Sequence, residues 1–250
     1  MMLDILSNRI PASDKSLSGY LCFHRWMLYF VEKYPSLLEY VNGTVNNFIE
    51  DEKFRHKDVV PSLGEFLPLL SLSDKTWDDI VDAYVCENLD RNAFWVLRKR
   101  PAFFKGDEAA ELDDGQIQTF FDCVALGKQL ALFHVFFLQN IGRIKGLSLQ
   151  EIEQQYDESY GLASQQKIKR LREFCKNLPS TCSWYEFFAG VGKPSPPNKE
   201  MSTLLKTAIS NSLRRGYHQK ETEKRKPCWK FRKLGSCKYG DDCRFAHITR

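Results

Sequence analysis

Apolar residues recur at intervals of three and four along most of this 250-residue chain, which is the spacing of a helix face. No alternating run of apolar and polar residues is long enough to predict a sheet. Capping residues, glycines and prolines bound the helical stretches. Helices are predicted over residues 17–34, 36–54, 76–99, 116–142, 148–160, 164–178 and 199–215, with a short one after Ser183. The pattern predicts a mainly α fold, in which a multi-helix globular body precedes a segment of a different kind.

The stretch 116–142 is predicted as one continuous helix at the centre of the body. Ile117 and Phe120 share an apolar stripe, and from Leu130 onward apolar residues cover most of the helix surface. A helix that is apolar on several sides is buried on several sides. The stretch 17–34, which is dense in aromatic residues, is predicted as an amphipathic or buried helix.

The helical body contains reactive side chains, but no arrangement of them predicts catalysis. On one helix Cys123 and His134 would lie about 16 Å apart, too far for a nucleophile and its base. Cys22 and His24 are two residues apart, so a helix points them to different faces and they make a poor metal pair. We therefore expect no enzymatic activity from this chain.

A different pattern begins near the carboxyl end, where three cysteines and one histidine follow the spacing Cys-x8-Cys-x5-Cys-x3-His. The four residues are Cys228, Cys237, Cys243 and His247. Three thiolates and one imidazole complete the tetrahedral shell of a structural Zn²⁺ site and leave no position for a catalytic water. The spacing therefore predicts a closed zinc site, and Zn²⁺ is the expected cofactor.

The segment around these ligands is too short to fold on apolar burial alone. It spans about 25 residues with few large apolar side chains, so burial cannot offset the entropy lost when the backbone is ordered. Zinc binding contributes about 10–16 kcal/mol in finger peptides at neutral pH. We therefore expect this segment to fold when it binds the metal.

The residues between the ligands resemble the CCCH zinc fingers of the tristetraprolin type. The resemblance rests on Phe231, Gly235, the Cys-Lys-Tyr-Gly run at 237–240 and the Cys-Arg-Phe-Ala-His run at 243–247. It covers residues 228–247 only, and the helical body carries no such resemblance. The lead-in Glu-Lys-Arg-Lys-Pro differs from the family's Tyr-Lys-Thr-Glu-Leu type, and this chain has one finger where tristetraprolin has two.

The resemblance implies binding of single-stranded RNA, with bases stacked on two aromatic rings that correspond here to Tyr239 and Phe245. The composition agrees, because aromatic rings alternate with cations that can neutralise phosphates. These expected phosphate contacts are Lys230, Arg232, Lys233, Lys238 and Arg244. Packing around the zinc is the alternative role for Tyr239 and Phe245. It is the role that we favour for Phe231, whereas Trp229 suits either.

The net charge of +4 conceals an asymmetry along the chain. Residues 214–250 contain 12 Lys/Arg and 4 Asp/Glu, a formal charge of +8, which leaves −4 for the first 213 residues. A basic tail on an acidic body is typical of a protein with a nucleic-acid partner, and a solvated charged face is the alternative. We divide the chain into a helical body (1–216), a basic linker (217–226) and a CCCH finger (227–250).

The eight cysteines indicate a reducing compartment. Three are assigned to zinc, and the other five are an odd number that mostly falls within apolar helical patterns, as free thiols do. The first residues lack the long apolar run of a secretory signal, and the longest apolar block is too short to span a bilayer. We expect an intracellular protein, in the nucleus or the cytoplasm, with no membrane partner.

Two functions remain open from the sequence. In the first, the finger binds single-stranded RNA and the helical body binds an unknown protein partner or multimerises. In the second, the chain is a protein-interaction or scaffold module with a structural finger, in the ubiquitin pathway or in a ribonucleoprotein particle. The basic tail with Tyr239 and Phe245 favours the first function, and the presence of a single finger favours the second.

Overall fold

A computed structural model describes residues 2–7, 9–100, 111–157, 161–178 and 183–217, together with Cys228, Phe231, Lys233 and Cys237. These residues form eleven α-helices and no strand, which confirms the mainly α fold. In chain order the helices are α1 (Met2–Leu6), α2 (Asp14–Lys33), α3 (Pro35–Glu50), α4 (Leu63–Leu72), α5 (Trp77–Lys99), α6 (Asp114–Cys123), α7 (Ala125–Phe137), α8 (Leu149–Asp157), α9 (Gln165–Asn177), α10 (Trp184–Gly190) and α11 (Asn198–Arg214). A 3₁₀ turn, Glu52–Arg55, follows α3, and a π turn, Leu138–Gly142, extends α7.

All eleven helices contribute to one hydrophobic core. Tyr84 of α5, Phe133 of α7 and Tyr156 of α8 are among its largest fully buried side chains. The most extensive helix pairing is that of α11 with α5. Leu205 and Ile209, one turn apart on α11, are both buried. The helix predicted over 199–215 is therefore present and packs on the body.

Side-chain caps begin several helices where the sequence predicts them. The backbone N–H of Thr76 donates to the Asp79 carboxylate at 2.7 Å, ahead of α5. The backbone N–H of Ser148 donates in the same way to Glu151 at 2.7 Å, ahead of α8. These bonds satisfy amide donors that the first turn of a helix leaves without intrahelical partners. The local sequence is therefore sufficient to place these starts.

The prediction of one continuous helix over 116–142 is wrong. The chain bends by 70° where α6 ends at Cys123 and α7 begins at Ala125. A straight helix over this stretch would be about 40 Å long, more than the diameter of a small domain. The bend at Val124 lets both halves bury their apolar residues in the same core. In the described part of the chain no single helix is long and apolar enough to cross a membrane, although this bent pair meets the length and composition criteria together.

Candidate metal centre and nucleic-acid interface

Cys228 and Cys237 are the two predicted zinc ligands that the structure describes. Cys228 is 5% exposed, and Cys237 is half-buried. The backbone N–H of Phe231 donates to the Sγ of Cys228 at 3.5 Å. The bond joins residues three apart in the chain, the separation at which an N-cap side chain accepts a backbone N–H. An amide donor stabilises negative charge on sulfur, and this environment therefore fits a zinc-bound thiolate.

The other predicted site residues divide by whether the structure describes them. Lys233 is described and exposed, as a phosphate contact must be. The remaining ones lie outside the described residues: Cys243, His247, Tyr239, Phe245, Lys230, Arg232, Lys238 and Arg244. Within the described ranges no group of three or more His, Cys, Asp or Glu side chains is placed to hold a metal ion. The finger contributes only two of its four ligands to those ranges.

A buried ionic network lies where the chain leaves α11 toward the finger. The fully buried Glu87 carboxylate accepts hydrogen bonds from Arg91 Nε at 2.6 Å, from Arg215 Nη1 at 2.5 Å and from the Tyr217 hydroxyl at 2.8 Å. Tyr217 is itself only 5% exposed. The packed body therefore reaches residue 217, one residue into the predicted linker.

Further hydrogen bonds complete this network. The Arg91 guanidinium donates to the backbone carbonyls of Arg55 at 2.6 Å and Val60 at 2.7 Å. A buried ion pair needs such bonds, because the attraction alone does not repay the cost of desolvating both charges. Burial, and after it the Glu87 carboxylate, raises the pKa of Tyr217 to about 12. The hydroxyl therefore remains protonated and donates a hydrogen bond at neutral pH. The network holds the segment after α11 against α5.

The body neutralises two of the cations that the sequence assigns to the basic tail. Arg215 pairs with Glu87 and also with Glu52 at 2.9 Å, and Arg214 lies 3.4 Å from the same Glu52 carboxylate. Beyond residue 217 the sequence retains ten Lys/Arg and four Asp/Glu. The charge asymmetry therefore survives in the segment that carries the zinc ligands.

The two buried histidines of the body are packed core residues. His24 Nδ1 lies 2.9 Å from the Tyr156 hydroxyl, and burial lowers the pKa of His24 to about 3. Burial likewise lowers the pKa of His134 to about 3, and neither of its ring nitrogens has a hydrogen-bond partner among the described residues. The bend at Val124 places Cys123 and His134 on different helices, which corrects the prediction that they share one.

Residues 223–249 match the family model for zinc fingers of the C-x8-C-x5-C-x3-H type and similar ones. The carboxyl-terminal segment is therefore a CCCH zinc finger, and that family implies zinc binding. Fingers of this class commonly bind RNA. The helical body has no family match, and no curated protein and no solved structure matches the chain.

Sequence reasoning missed an exposed surface on α2. Phe23, Trp26, Tyr29, Phe30 and Tyr34 are between 39% and 63% exposed, and we call these five side chains the aromatic face. The opposite side of α2 is buried in the core, so the helix is apolar on two sides. The signal was present in the spacing, because the buried set and the exposed set each recur at helical intervals. Periodicity alone could not tell which set would be covered.

Proposed function

We propose that this chain binds single-stranded RNA through its CCCH finger and that the helical body is a protein-interaction domain. The observation that carries the proposal is the ligand spacing, together with the family match over residues 223–249. Aromatic residues interleaved with cations around the ligands support it, since bases stack on rings while cations neutralise phosphates. The separation of a basic tail from an acidic body adds an electrostatic preference for RNA at the tail.

The finger is expected to bind RNA weakly when it acts alone. Each stacked base contributes about 1–3 kcal/mol, and the resemblance offers two rings for stacking. Even with phosphate contacts, this total favours dissociation constants nearer micromolar than nanomolar. A nanomolar dissociation constant for RNA would therefore require binding free energy from a source other than one finger.

The first test removes the two predicted stacking rings one at a time. In the zinc-loaded full chain, Tyr239→Ala and Phe245→Ala should each weaken binding to a short uridine-rich oligonucleotide by about 1–3 kcal/mol. Tyr185→Ala is the matched control, because Tyr185 is 72% exposed on α10 of the body. Fluorescence anisotropy measures all three affinities. Unchanged affinity in both finger variants would mean that the rings serve only the fold.

The second test concerns the phosphate contacts. Lys233→Gln should lower affinity for all sequences alike and reduce the slope of log K against log salt by about one. Lys199→Gln is the control, since the Lys199 side chain is 82% exposed at the start of α11 in the body. If both variants reduced the salt slope equally, the salt dependence would come from the overall charge of the protein and not from contacts between the finger and RNA phosphates.

A protein-interaction module with a structural finger is the second candidate function. The aromatic face favours it, because exposed contiguous apolar surface marks contact sites. We further propose a non-enzymatic role inside the cell, in the nucleus or the cytoplasm, consistent with a closed zinc site and free body thiols. Absence of RNA binding by the intact, zinc-loaded chain would leave this second function ahead.

A further inference from the structure

The exposed hydrophobic side chains of the described surface are concentrated in one place. Seven of the fourteen large ones lie between residues 23 and 40, on α2 and the start of α3. Within the aromatic face the Phe30 ring centroid lies 6.3 Å from that of Trp26, 5.8 Å from that of Tyr29 and 6.4 Å from that of Tyr34. Lys33 Nζ lies 5.5 Å from the Tyr29 ring centroid and 5.8 Å from that of Tyr34. Four of the five rings, those of Trp26, Tyr29, Phe30 and Tyr34, thus form one connected cluster.

The area of the aromatic face matches the apolar core of a protein interface. Side chains of this size bury about 150–250 Å² each, so five of them at the observed exposures present about 500 Å². That is near the upper end for the largest apolar patch of a typical monomer. A standard interface buries about 800 Å² per partner, and the core of a homodimer interface is about 65% apolar. Five rings with a polar rim therefore supply enough surface for a stable pair.

The charge around the aromatic face excludes a strongly charged occupant. Residues 14–40 carry three Lys/Arg and three Asp/Glu, and the low pKa of the buried His24 leaves its ring neutral. A nucleic-acid surface needs an excess of cations to neutralise phosphates, which this surface lacks. A neutral surface instead meets an identical neutral surface without repulsion. Charge therefore favours a second copy of this chain over RNA.

We propose that α2 pairs with α2 of a second copy in an antiparallel, twofold arrangement whose axis crosses the helix beside Trp26, midway between residues 26 and 27. Gly19, Phe23, Trp26 and Phe30 follow each other at intervals of four, three and four residues, the spacing at which two helices interlock side chains. An axis midway between residues 26 and 27 places Phe23 opposite Phe30 of the other copy. It also places Gly19 opposite Tyr34. A Cβ atom added at Gly19 would have no other heavy atom within 4 Å, so there is open space beside this glycine.

This register matches small residues with large ones. Antiparallel pairing fills the open space at Gly19 with the Tyr34 ring, whereas parallel pairing would leave Gly19 facing Gly19. A self-complementary patch closes into a dimer, because each copy presents the same surface to the other. The pairing thus closes with two copies and offers a third copy no equivalent contact.

A dimer of this chain would contain two CCCH fingers, one from each copy. This consequence rests on the proposed RNA function, whereas the pairing itself does not. Linking two weak sites makes the second binding event intramolecular and raises overall affinity by about 10²–10⁴-fold when the geometry allows both to engage. The dimer would therefore supply the additional binding free energy that one finger lacks.

Sedimentation equilibrium of the full zinc-loaded chain over a dilution series tests the pairing. We expect a concentration-dependent monomer–dimer equilibrium that Gly19→Glu shifts to monomer. The matched control is Gly43→Glu, which adds the same charge and helix propensity at another exposed helical glycine with nothing within 4 Å of its side-chain position. Circular dichroism checks that both variants remain folded. A wild-type chain that is monomeric throughout, or a Gly19→Glu chain that pairs like wild type, overturns the proposal.

RNA binding separates failure of the pairing from failure of the RNA function. An oligonucleotide with two uridine-rich sites should bind wild type at least about 10²-fold more tightly than one with a single site, and Gly19→Glu should abolish this gain. Gly19→Glu should leave single-site affinity unchanged, since a loss there would show that RNA covers the aromatic face and would overturn the proposal. Tyr239→Ala should weaken RNA binding and leave the dimer intact. If neither oligonucleotide binds wild type, only the RNA function fails, and sedimentation still decides the pairing.

Discussion

At the scale of single residues, Glu87 is where the polar contacts of the body converge. Its carboxylate is fully buried and receives two arginines and a tyrosine hydroxyl from three points of the chain. Arg91 is bound to it on α5, while Arg215 and Tyr217 follow α11. This one side chain therefore holds the end of the body in place just before the tail begins.

We predict that Glu87→Gln lowers the free energy of unfolding by about 3–5 kcal/mol, because it removes the carboxylate that pairs with the buried Arg91 guanidinium and leaves Arg215 with Glu52 as its close counter-ion. Urea denaturation followed by circular dichroism measures the loss. Glu173→Gln is the control, since Glu173 is exposed on α9 and its loss should change stability by less than about 0.5 kcal/mol. Equal losses in both variants would show that the buried network contributes no more to the free energy of unfolding than an exposed carboxylate does.

His134 makes the stability of the body depend on pH. Its pKa is about 3 when folded and 6.5 when unfolded, so the unfolded chain takes up the proton first as pH falls. Stability is therefore lost from about pH 6.5 down to about pH 3, and His134 alone contributes a loss of about 2 kcal/mol by pH 5. Asp90 acts in the opposite sense, because burial and Glu87 raise its pKa from 3.8 to about 7. Between these values the unfolded chain loses a proton that the folded chain keeps, so stability falls as pH rises toward 7.

His134→Leu isolates the histidine from these other titrations. We expect the variant to be more stable at pH 7 by about 1 kcal/mol, because it removes two buried ring nitrogens without hydrogen-bond partners. The stability difference from wild type should then grow as pH falls from 6.5 to 5. Urea midpoints at several pH values measure it. A difference that stays constant with pH would mean that His134 titrates with the same pKa in the folded and the unfolded chain.

At the scale of elements, α11 is an amphipathic helix that is held on the body by the burial of one of its faces. Leu205 is fully buried against the body, whereas Leu213 on the same helix is 45% exposed. The two residues have the same intrinsic helix propensity, so only their burial differs. This pair offers a direct measure of how much the docking of the helix contributes.

We predict that Leu205→Ala costs about 2–5 kcal/mol, the range for a buried leucine that leaves a cavity. Leu213→Ala should cost less than about 1 kcal/mol, because water and the exposed helix surface accommodate the smaller side chain. Denaturant midpoints compare the two variants directly. Similar losses for both would contradict the placement of α11 against α5.

At the scale of the whole molecule, the core and the zinc site depend on different forces. The hydrophobic core extends from Ile5 to Ile209, and neither Cys228 nor Cys237 belongs to it. The body is held by apolar burial, whereas the CCCH family implies that metal coordination supplies the folding free energy of the finger segment. The two parts should therefore respond to zinc removal in different ways.

We predict that a chelator releases one Zn²⁺ per chain and leaves the thermal unfolding midpoint of the body unchanged. Zinc is measured with a colorimetric indicator, and unfolding by circular dichroism. Cys228→Ser should reproduce the chelator effect, since it removes one thiolate ligand, while Cys86→Ser, at an exposed cysteine of α5, should retain the metal. Zinc retention in Cys228→Ser would refute the ligand assignment.

The sequence by itself predicted the zinc ligands and determined the beginnings of the helices, because both depend on residues close together in the chain. Ligand spacing is a local pattern, which is why Cys228 and His247 could be assigned without a fold. Caps such as Thr76 with Asp79 are local in the same sense. Helical periodicity likewise predicted the helices that became α5 and α11.

Only the tertiary structure decided the bend at Val124, the burial of Arg215 and the exposure of the aromatic face. Each depends on what lies across from a residue in space, and periodicity does not record that. A straight helix and a bent one have the same apolar pattern, but only the bent one fits the core. Arg215 is a tail cation until Glu87, far away in sequence, comes to lie against it. Both apolar sides of α2 look alike in sequence, and the packing of the other helices covered only one of them.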